Sequence, residues 1–175
     1  MTAPRAVLVV LGGLPGTGKS AVAKAYVRAT GASYLRIDTI EQTLVSRTSA
    51  EQPVGPIGYE IGYALAVEQL RTGTHTLVAD CVNPLALTRD AWVEVAAVTA
   101  AALVEVEVVC SDPTEHRRRV ETRDSDVPDL RLPTWQEVQD RDYQPWDRDR
   151  LILDTAQLDP GQCAHLLARA TAHAR

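Results

Sequence analysis

Residues 13–20 read Gly-Leu-Pro-Gly-Thr-Gly-Lys-Ser, the complete G-x-x-x-x-G-K-[ST] pattern of a phosphate-binding loop. Its glycines let the backbone turn tightly and bring N–H groups against phosphate oxygens. The lysine adds a cation for the β- and γ-phosphates, and the serine hydroxyl is a ligand for Mg²⁺. The predicted nucleotide-binding residues are Gly13, Gly16, Thr17, Gly18, Lys19 and Ser20.

The segments on either side of this loop match the strand and helix that the motif requires. Residues 6–11 form a continuous apolar run, as in a strand buried on both faces of a parallel sheet. Lys19–Thr30 is rich in Ala and has apolar residues at helical spacing, with Gly31 at the expected helix end. A glycine-rich turn that binds nothing is the alternative, and the agreement of both flanks disfavours it.

Apolar runs alternate with helical patterns along the rest of the chain. Further strands are predicted at residues 33–37, 75–79, 103–109 and 151–153. Helices are predicted at residues 39–47, 57–73, 84–102, 134–142 and 160–172, and another from Pro113 with Ser111 or Asp112 as its cap. This alternation predicts an α/β fold with three layers, α/β/α, in which right-handed crossovers give a parallel sheet. We expect one domain over residues 1–175 and a loop over residues 49–55.

Composition and charge exclude several classes of protein. Hydrophobic residues make up 45% and charged residues 23% of the chain, which is typical of a soluble globular domain. The net charge of −5 disfavours nucleic acid and anionic membranes as partners, although a local basic patch stays open. No run approaches the ~20 apolar residues of a membrane span. The three cysteines and four histidines show no disulfide or metal-ligand spacing, so we expect a reducing, cytoplasmic setting.

Two acids, Asp38 and Asp80, each follow a predicted strand. In a parallel sheet the carboxyl ends of all strands lie at the same edge, and ligands bind at that edge. Asp80 ends the run at residues 76–80, which has the form of a Walker B element whose acid holds Mg²⁺ directly or through water. Capping of the next helix is the alternative, but Pro84 moves that cap towards Asn83. Ser20 and Asp80 are therefore the predicted metal-binding residues.

Asp38 is the predicted base of the reaction. Phosphoryl transfer needs a carboxylate that accepts the proton of an attacking hydroxyl, and a position after the second strand suits that role. Asp38 could also cap the helix that begins near Thr39, and the two roles are compatible. Tyr59, Tyr63 and Trp135 are candidate walls of an acceptor pocket.

Residues 116–123 read His-Arg-Arg-Arg-Val-Glu-Thr-Arg and form a basic helix after the fourth strand. Arg119 and Arg123 lie one turn apart on one face, where guanidinium groups can stabilise a transferred phosphoryl group or stack on adenine. A solvated basic face is the alternative. The polar segment 124–133 that follows is predicted to be a mobile lid that closes over the phosphates and excludes water.

Taken in order, these motifs resemble P-loop kinases of the polynucleotide-kinase and gluconate-kinase type. The matching parts are the loop 13–20, Asp38, the segment 78–83 and the pair Arg119 and Arg123. Related single-domain proteins are also called AAA family ATPases, or zeta-toxin-like or chloramphenicol-phosphotransferase-like. The resemblance covers nearly the whole chain.

This resemblance implies a P-loop NTPase fold with a five-stranded parallel sheet of order 2-3-1-4-5. It implies ATP and Mg²⁺ as the bound nucleotide and ion, and Asp38 as the residue that activates the acceptor hydroxyl. Arg119 and Arg123 would be the adenine-side and lid arginines, and the loop 154–156 would lie near the adenine.

The chain also departs from the family pattern. The family's Asp-Ala-Thr-Asn after the third strand is Asp80-Cys81-Val82-Asn83 here, which keeps the Asp and the Asn but loses the Thr. No Glu follows Asp80 to polarise water, so a mechanical ATPase is not expected. A guanine-reading Asn-Lys-x-Asp motif is absent from the sequence, so a GTPase is not expected either.

The leading functional prediction is an ATP-dependent kinase that phosphorylates a hydroxyl of a small molecule such as a sugar acid, nucleoside or antibiotic. Its predicted catalytic residues are Lys19, Asp38, Arg119 and Arg123. A polynucleotide 5′-hydroxyl kinase is the second prediction; it needs a basic groove near Asp38, and the acidic balance of the chain disfavours it. The third is a nucleotide-binding regulatory module with little turnover, which would not need Asp38.

Overall fold

A computed structural model describes residues 5–48 and 54–174, and the predicted loop at 49–55 lies largely outside these ranges. The strands in these ranges are Val7–Gly12 (β1), Ser33–Arg36 (β2), Thr76–Asp80 (β3), Ala102–Val109 (β4) and Leu151–Asp154 (β5). The helices are Lys19–Thr30 (α1), Ile37–Arg47 (α2), Ile57–Arg71 (α3), Ala86–Val98 (α4), Pro113–Thr122 (α5), Trp135–Gln139 (α6) and Pro160–Ala174 (α7).

The strands of the described residues form one parallel sheet with the order β2-β3-β1-β4-β5. β1 lies at the centre, and its residues 7–11 are fully buried, which explains why the run is apolar without alternation. The predicted fold class and strand order are confirmed.

Each face of the sheet has its own core. Alternate residues of a strand point to opposite faces, so Val9 packs with Leu167 of α7 on one side and Val10 packs with Trp92 of α4 on the other. α1 shares the first side with α7, and α3 shares the second with α4. The result is the predicted α/β/α sandwich, with the loops after the strands gathered at one edge.

Several predicted helix ends are confirmed by local geometry. α1 ends at Gly31, which adopts a left-handed conformation. α5 begins at Pro113 after Asp112, whose side chain accepts hydrogen bonds from two backbone N–H groups. α6 begins with a capping box made by Thr134 and Glu137.

The start of α2 differs from the prediction. β2 pairs Arg36 with Asp80, the last residue of β3, so its ladder ends there and the helix begins at Ile37. Arg36 is extended and occupies the N-cap position without a side-chain cap. Asp38 therefore lies in the first turn of α2, and the suggestion that it caps this helix is wrong.

α4 also begins later than predicted, at Ala86 rather than at Pro84, with Leu85 as its N-cap. The expectation that the cap lies nearer Asn83 is wrong. Asn83 precedes a proline, which disfavours the helical conformation, and it adopts a φ of 52° instead.

A buried arginine holds the segment before α4 in place. Arg89 is fully buried and donates to the carbonyls of Asn83 and Pro84 at 3.2 and 3.0 Å. It also donates to the carbonyls of Gln144 and Pro145 at 2.6 and 3.0 Å, and the Trp146 ring lies 4.3 Å from its guanidinium carbon. Arg89 thus joins two loops that cover the sheet.

Across the described ranges, we find no helix of sufficient length and apolarity to cross a membrane.

Candidate active site

The phosphate-binding loop joins β1 to α1, and its glycines have conformations that other residues rarely adopt. Gly13, Gly16 and Gly18 have φ values of 138°, 86° and 96°. A Cβ on Gly13 would lie 2.2 Å from the carbonyl oxygen of Val108. A side chain there would force β4 away from the loop, so the loop geometry requires glycine.

Neighbouring elements hold this loop from two sides. His116 of α5 is buried, and its Nε2 lies 2.8 Å from the carbonyl oxygen of Pro15. Thr155, which follows β5, donates from Oγ1 to the carbonyl oxygen of Thr17 at 2.6 Å. The loop is therefore fixed by long-range contacts that the sequence motif does not reveal.

Lys19 lies buried inside the loop, where its Nζ donates to the carbonyl oxygen of Leu14 at 2.9 Å. Burial lowers the pKa of Lys19, and the nearby carboxylates of Asp80 and Asp38 act in the opposite direction. The cation thus faces the two acids that the sequence singles out.

Asp80 and Ser20 meet at the hydroxyl of Tyr34. Tyr34 donates to Asp80 Oδ2 at 2.6 Å, and its hydroxyl also contacts the Ser20 side chain. Burial and the adjacent Asp80 raise the pKa of Tyr34 well above its usual value. A carboxylate and a hydroxyl are hard oxygen ligands that suit Mg²⁺, which commonly keeps several waters as its other ligands. The pair therefore fits the metal site predicted for it, although the described residues contain no group of three or more His, Cys, Asp or Glu side chains that could hold a metal ion.

Arg36 contacts three acids at once. Its Nη2 lies 3.3 Å from Asp38 Oδ2, its Nη1 2.7 Å from Asp126 Oδ1, and its Nε 3.9 Å from Asp80 Oδ2. The Arg36 side chain is mostly buried, whereas Asp38 is about one-third exposed (36%). Arg36 thus fixes Asp38 on the first turn of α2, where both side chains line the cavity.

Arg119 and Arg123 both line the cavity, but the predicted helix does not extend to Arg123: α5 ends at Thr122, and Arg123 is its C-cap with an extended backbone. Arg119 donates to Thr155 Oγ1 and O at 2.8 and 3.0 Å, and to Glu115 at 2.7 Å, so it is tied to the phosphate loop through Thr155. Arg123 faces Asp38, and burial lowers its pKa. Its Nε is buried and makes no hydrogen bond within the described residues.

The predicted lid, residues 124–133, contributes to the lining of the cavity and is attached by Asp126. This carboxylate pairs with Lys24 of α1 and with Arg36. Hydrogen bonds from Lys24 and Arg36 lower the pKa of Asp126 to about 2, so it is charged at neutral pH.

One cavity of about 1090 Å³ extends from the phosphate loop to α3. Its lining includes the predicted catalytic residues Lys19, Asp38, Arg119 and Arg123. Residues of α2, of α3 and of the start of α4 also line it: Glu41, Tyr59, Tyr63, Leu85, Leu87 and Thr88. The two tyrosines line the cavity, but Trp135 packs edge-on against His116 with ring centroids 5.1 Å apart. Trp135 is therefore no wall of the acceptor pocket, because the start of α6 is held against α5.

The chain matches a protein-family model over residues 8–145, the AAA_33 family, described as an AAA domain. This chain belongs to that family. The matched range includes the phosphate loop, Asp38, Asp80, both arginines and the predicted lid. No curated protein matches the chain.

Solved structures of low sequence identity share the fold over nearly their full lengths. A candidate kinase of Chloroflexus aurantiacus has a TM-score of 0.77 at 16% identity and covers 99% of this chain and 100% of its own. The APS kinase CysC of Mycobacterium tuberculosis, in complex with AMPPNP and APS, has a TM-score of 0.70 at 22% identity, with coverages of 95% and 98%. A gluconokinase of Sinorhizobium meliloti has a TM-score of 0.62 at 18% identity, with coverages of 98% and 97%. The family member thus has the fold of P-loop kinases, and the resemblance drawn from its motifs is confirmed.

Proposed function

We propose that this protein is an ATP-dependent kinase that transfers the γ-phosphate of Mg-ATP to a hydroxyl group of a small-molecule acceptor. In this reaction Asp38 accepts the proton of the hydroxyl, and the hydroxyl oxygen attacks the γ-phosphorus. The bond between the γ-phosphorus and the bridging oxygen breaks, and ADP leaves with that electron pair.

The observation that carries the proposal is that Asp38 and the phosphate loop line one cavity. A pure nucleotide-binding module has no need of a carboxylate across from the phosphates. Asp38 is fixed by Arg36 and partly exposed, so it is accessible to an acceptor hydroxyl. The kinase fold of the structural neighbours agrees with this proposal.

The cations of the cavity have complementary roles in the proposed reaction. Lys19 binds the β- and γ-phosphates, and Arg119 and Arg123 stabilise the charge that develops on the transferred group. Ser20 and Asp80 are the proposed ligands of Mg²⁺, an ion that neutralises phosphate charge when it is bound. The segment 124–133 closes over the phosphates and limits hydrolysis by water.

Asp38→Asn tests the proposal, since it keeps the shape of the side chain but removes the base. We expect phosphoryl transfer to fall by at least about 100-fold, while the affinity for Mg-AMPPNP stays within about two-fold. Transfer is measured as acceptor-dependent ADP release with amino alcohols, sugars, sugar acids, nucleosides and a 5′-hydroxyl oligonucleotide. Glu68→Gln, the same type of change at an exposed site on α3, should alter neither quantity.

The outcomes separate the proposal from its alternatives. If Asp38→Asn lowered the affinity for Mg-AMPPNP as much as it lowered the rate of transfer, Asp38 would have a structural role. Phosphorylation of the oligonucleotide alone would favour a polynucleotide kinase. Nucleotide binding without transfer to any acceptor would favour a regulatory module.

A further inference from the structure

One part of the cavity wall is formed by Asp38, Glu41, Tyr59 and Tyr63, and we call these four residues the acceptor end of the cavity. All four residues line the same cavity as the phosphate loop. Asp38 and Glu41 are three residues apart on α2, so they share a helix face with Cβ atoms about 5–6 Å apart. A molecule that reaches Asp38 therefore also meets Glu41.

Glu41 is a partly buried carboxylate that forms no ion pair with a basic side chain of the described residues. Among the described residues it makes no hydrogen bond and no ion pair within 4 Å, and Arg141 is its only basic neighbour near enough to affect its pKa. Burial and the nearby Asp38 raise the pKa of Glu41 to about 7. A carboxylate withdrawn from water without a counterion is unfavourable, and a bound cation would offset that cost.

The fold makes room for this carboxylate. Gly58 of α3 is buried against Glu41, and a Cβ at residue 58 would lie 2.3 Å from Glu41 Cγ. Any larger residue there would push the Glu41 side chain away from α3. The glycine at position 58 of α3 thus allows the Glu41 side chain to remain in the wall of the cavity.

The other charges leave the acceptor end negative once a nucleotide is bound. Arg36 is paired with Asp38 and Asp126, and Arg131 is paired with Glu137 at 2.6 Å. The proposed nucleotide contacts engage Lys19, Arg119 and Arg123. Glu41 and the exposed Glu60 then remain near one cation, Arg141. An anionic acceptor would be repelled there, and a cationic acceptor would be attracted.

Two aromatic rings complete the acceptor end. Tyr59 and Tyr63 have ring centroids 6.0 Å apart. The Tyr59 hydroxyl accepts from the N–H of Asn83 at 2.9 Å, and Tyr63 donates to the carbonyl oxygen of Thr88 at 3.3 Å, so both rings are held in position. Aromatic rings beside a carboxylate are a favourable environment for an ammonium group.

From this arrangement we infer that the acceptor is a hydroxylated amine, an amino sugar or amino alcohol, whose hydroxyl faces Asp38 and whose ammonium group pairs with Glu41. The inference rests on the proposed kinase function, since it takes Asp38 as the base. It disfavours sugar acids and phosphorylated acceptors, because both bring negative charge to Glu41.

The first test compares amines with their N-acetyl derivatives, which keep the hydroxyl groups but lose the positive charge. Amino sugars, aminoglycosides and amino alcohols form one set, their N-acetyl forms the second, and sugar acids the third. We expect kcat/KM for acceptor-dependent ADP release to be at least 10-fold higher for free amines than for their N-acetyl forms. Transfer to neutral or anionic acceptors with equal or greater efficiency would overturn the inference.

The second test uses Glu41→Gln, with Glu68→Gln as the matched control. We expect Glu41→Gln to raise KM for the amine at least 10-fold and to abolish the preference over the N-acetyl form, with KM for ATP unchanged. Glu41→Gln with an intact amine preference would overturn the inference and leave the kinase function standing.

Binding measurements separate the inference from the function on which it rests. Calorimetry with the protein loaded with Mg-AMPPNP reports amine binding without any transfer. Amine binding that depends on Glu41 but is never followed by ADP release would support the ligand class and contradict the kinase function. Failure of both amine binding and amine transfer would overturn the inference.

Discussion

Glu41, the residue proposed to bind the ammonium group, is expected to lower the stability of the free protein. Folding places its carboxyl group against Gly58 and near Asp38, and Arg141 lies too far away to form an ion pair. The folded protein therefore holds the proton of Glu41 more tightly than the unfolded chain does. An acid in this situation favours folding when protonated and opposes it when ionised.

The pH dependence of stability follows from this sign. The pKa of Glu41 rises from an ordinary value of 4.5 to about 7 on folding. Ionisation of Glu41 should hardly affect the free energy of unfolding below pH 4.5, and should lower it progressively between pH 4.5 and pH 7. Glu41→Gln should therefore stabilise the protein more at pH 8 than at pH 5, by roughly 1–3 kcal/mol.

Urea unfolding of both proteins at the two pH values measures this difference. Glu68→Gln, on the exposed side of α3, should show a nearly constant difference from the wild type across the same range. A Glu41→Gln effect that is the same at pH 5 and pH 8 would contradict the pKa assigned to Glu41.

At the scale of elements, one carboxylate of the predicted lid, residues 124–133, contacts two different parts of the fold. Asp126 pairs with Lys24 on α1, the helix that follows the phosphate loop, and with Arg36 at the end of β2, beside Asp38. In the proposed closure of segment 124–133, Asp126 would hold the segment through one contact on the side of the phosphate loop and one on the side of Asp38. Both ion pairs are partly exposed, so each is expected to contribute modestly.

Asp126→Asn should weaken this closure without removing any group proposed to take part in the chemistry. Two partly exposed ion pairs of ordinary strength correspond to roughly a 2–10-fold change in the closed population. We expect ADP release in the absence of acceptor to rise relative to acceptor-dependent transfer by that factor. The measurement is the ratio of the two rates at saturating ATP.

Asp129→Asn is the matched control for the lid. Asp129 lies in the same segment, is exposed and has a φ of 58°, a conformation that Asn tolerates. Asp129→Asn should leave the ratio of acceptor-independent ADP release to acceptor-dependent transfer unchanged. An Asp126→Asn protein with the wild-type ratio would mean that these ion pairs do not control the access of water.

At the scale of the whole molecule, the parts predicted from sequence are those that local chemistry dictates. β1 must be apolar because both faces are buried, and the phosphate loop must contain Gly13 because β4 leaves no room for a Cβ. Strand order and fold class followed from these motifs and the family they resemble. The position of Asp38 near the end of β2, although not its place in the first turn of α2, followed from the alternation of strands and helices.

Residues whose partners are distant in sequence could not be predicted in the same way. Tyr34 contacts Asp80 across 46 residues, Arg36 contacts Asp126 across 90, and His116 contacts Pro15 across 101. Only the packing of β2 beside β3, and of α5 beside the phosphate loop, brings these groups together. A weak signal for Tyr34 and Arg36 was present, since alternate positions of a short strand carry polar groups on one face.

The same long-range contacts make the phosphate loop a link between layers, so nucleotide binding should stabilise the whole domain. The loop is tied to α5 through His116 and to the end of β5 through Thr155. A ligand present at 100 times its Kd stabilises the folded state by about 2.7 kcal/mol. For a domain of this size we expect Mg-AMPPNP to raise Tm by roughly 5–10 °C.

Lys19→Ala should remove most of this shift, because it deletes the buried cation proposed to bind the β- and γ-phosphates. Arg28→Ala, which deletes an exposed cation on the same helix, should keep it. Thermal melts of the three proteins with and without Mg-AMPPNP provide the comparison, and Mg-GMPPNP provides a test of base preference. An equal shift in Lys19→Ala would place the triphosphate elsewhere, and a larger shift with Mg-GMPPNP would contradict the assignment of ATP as the phosphate donor.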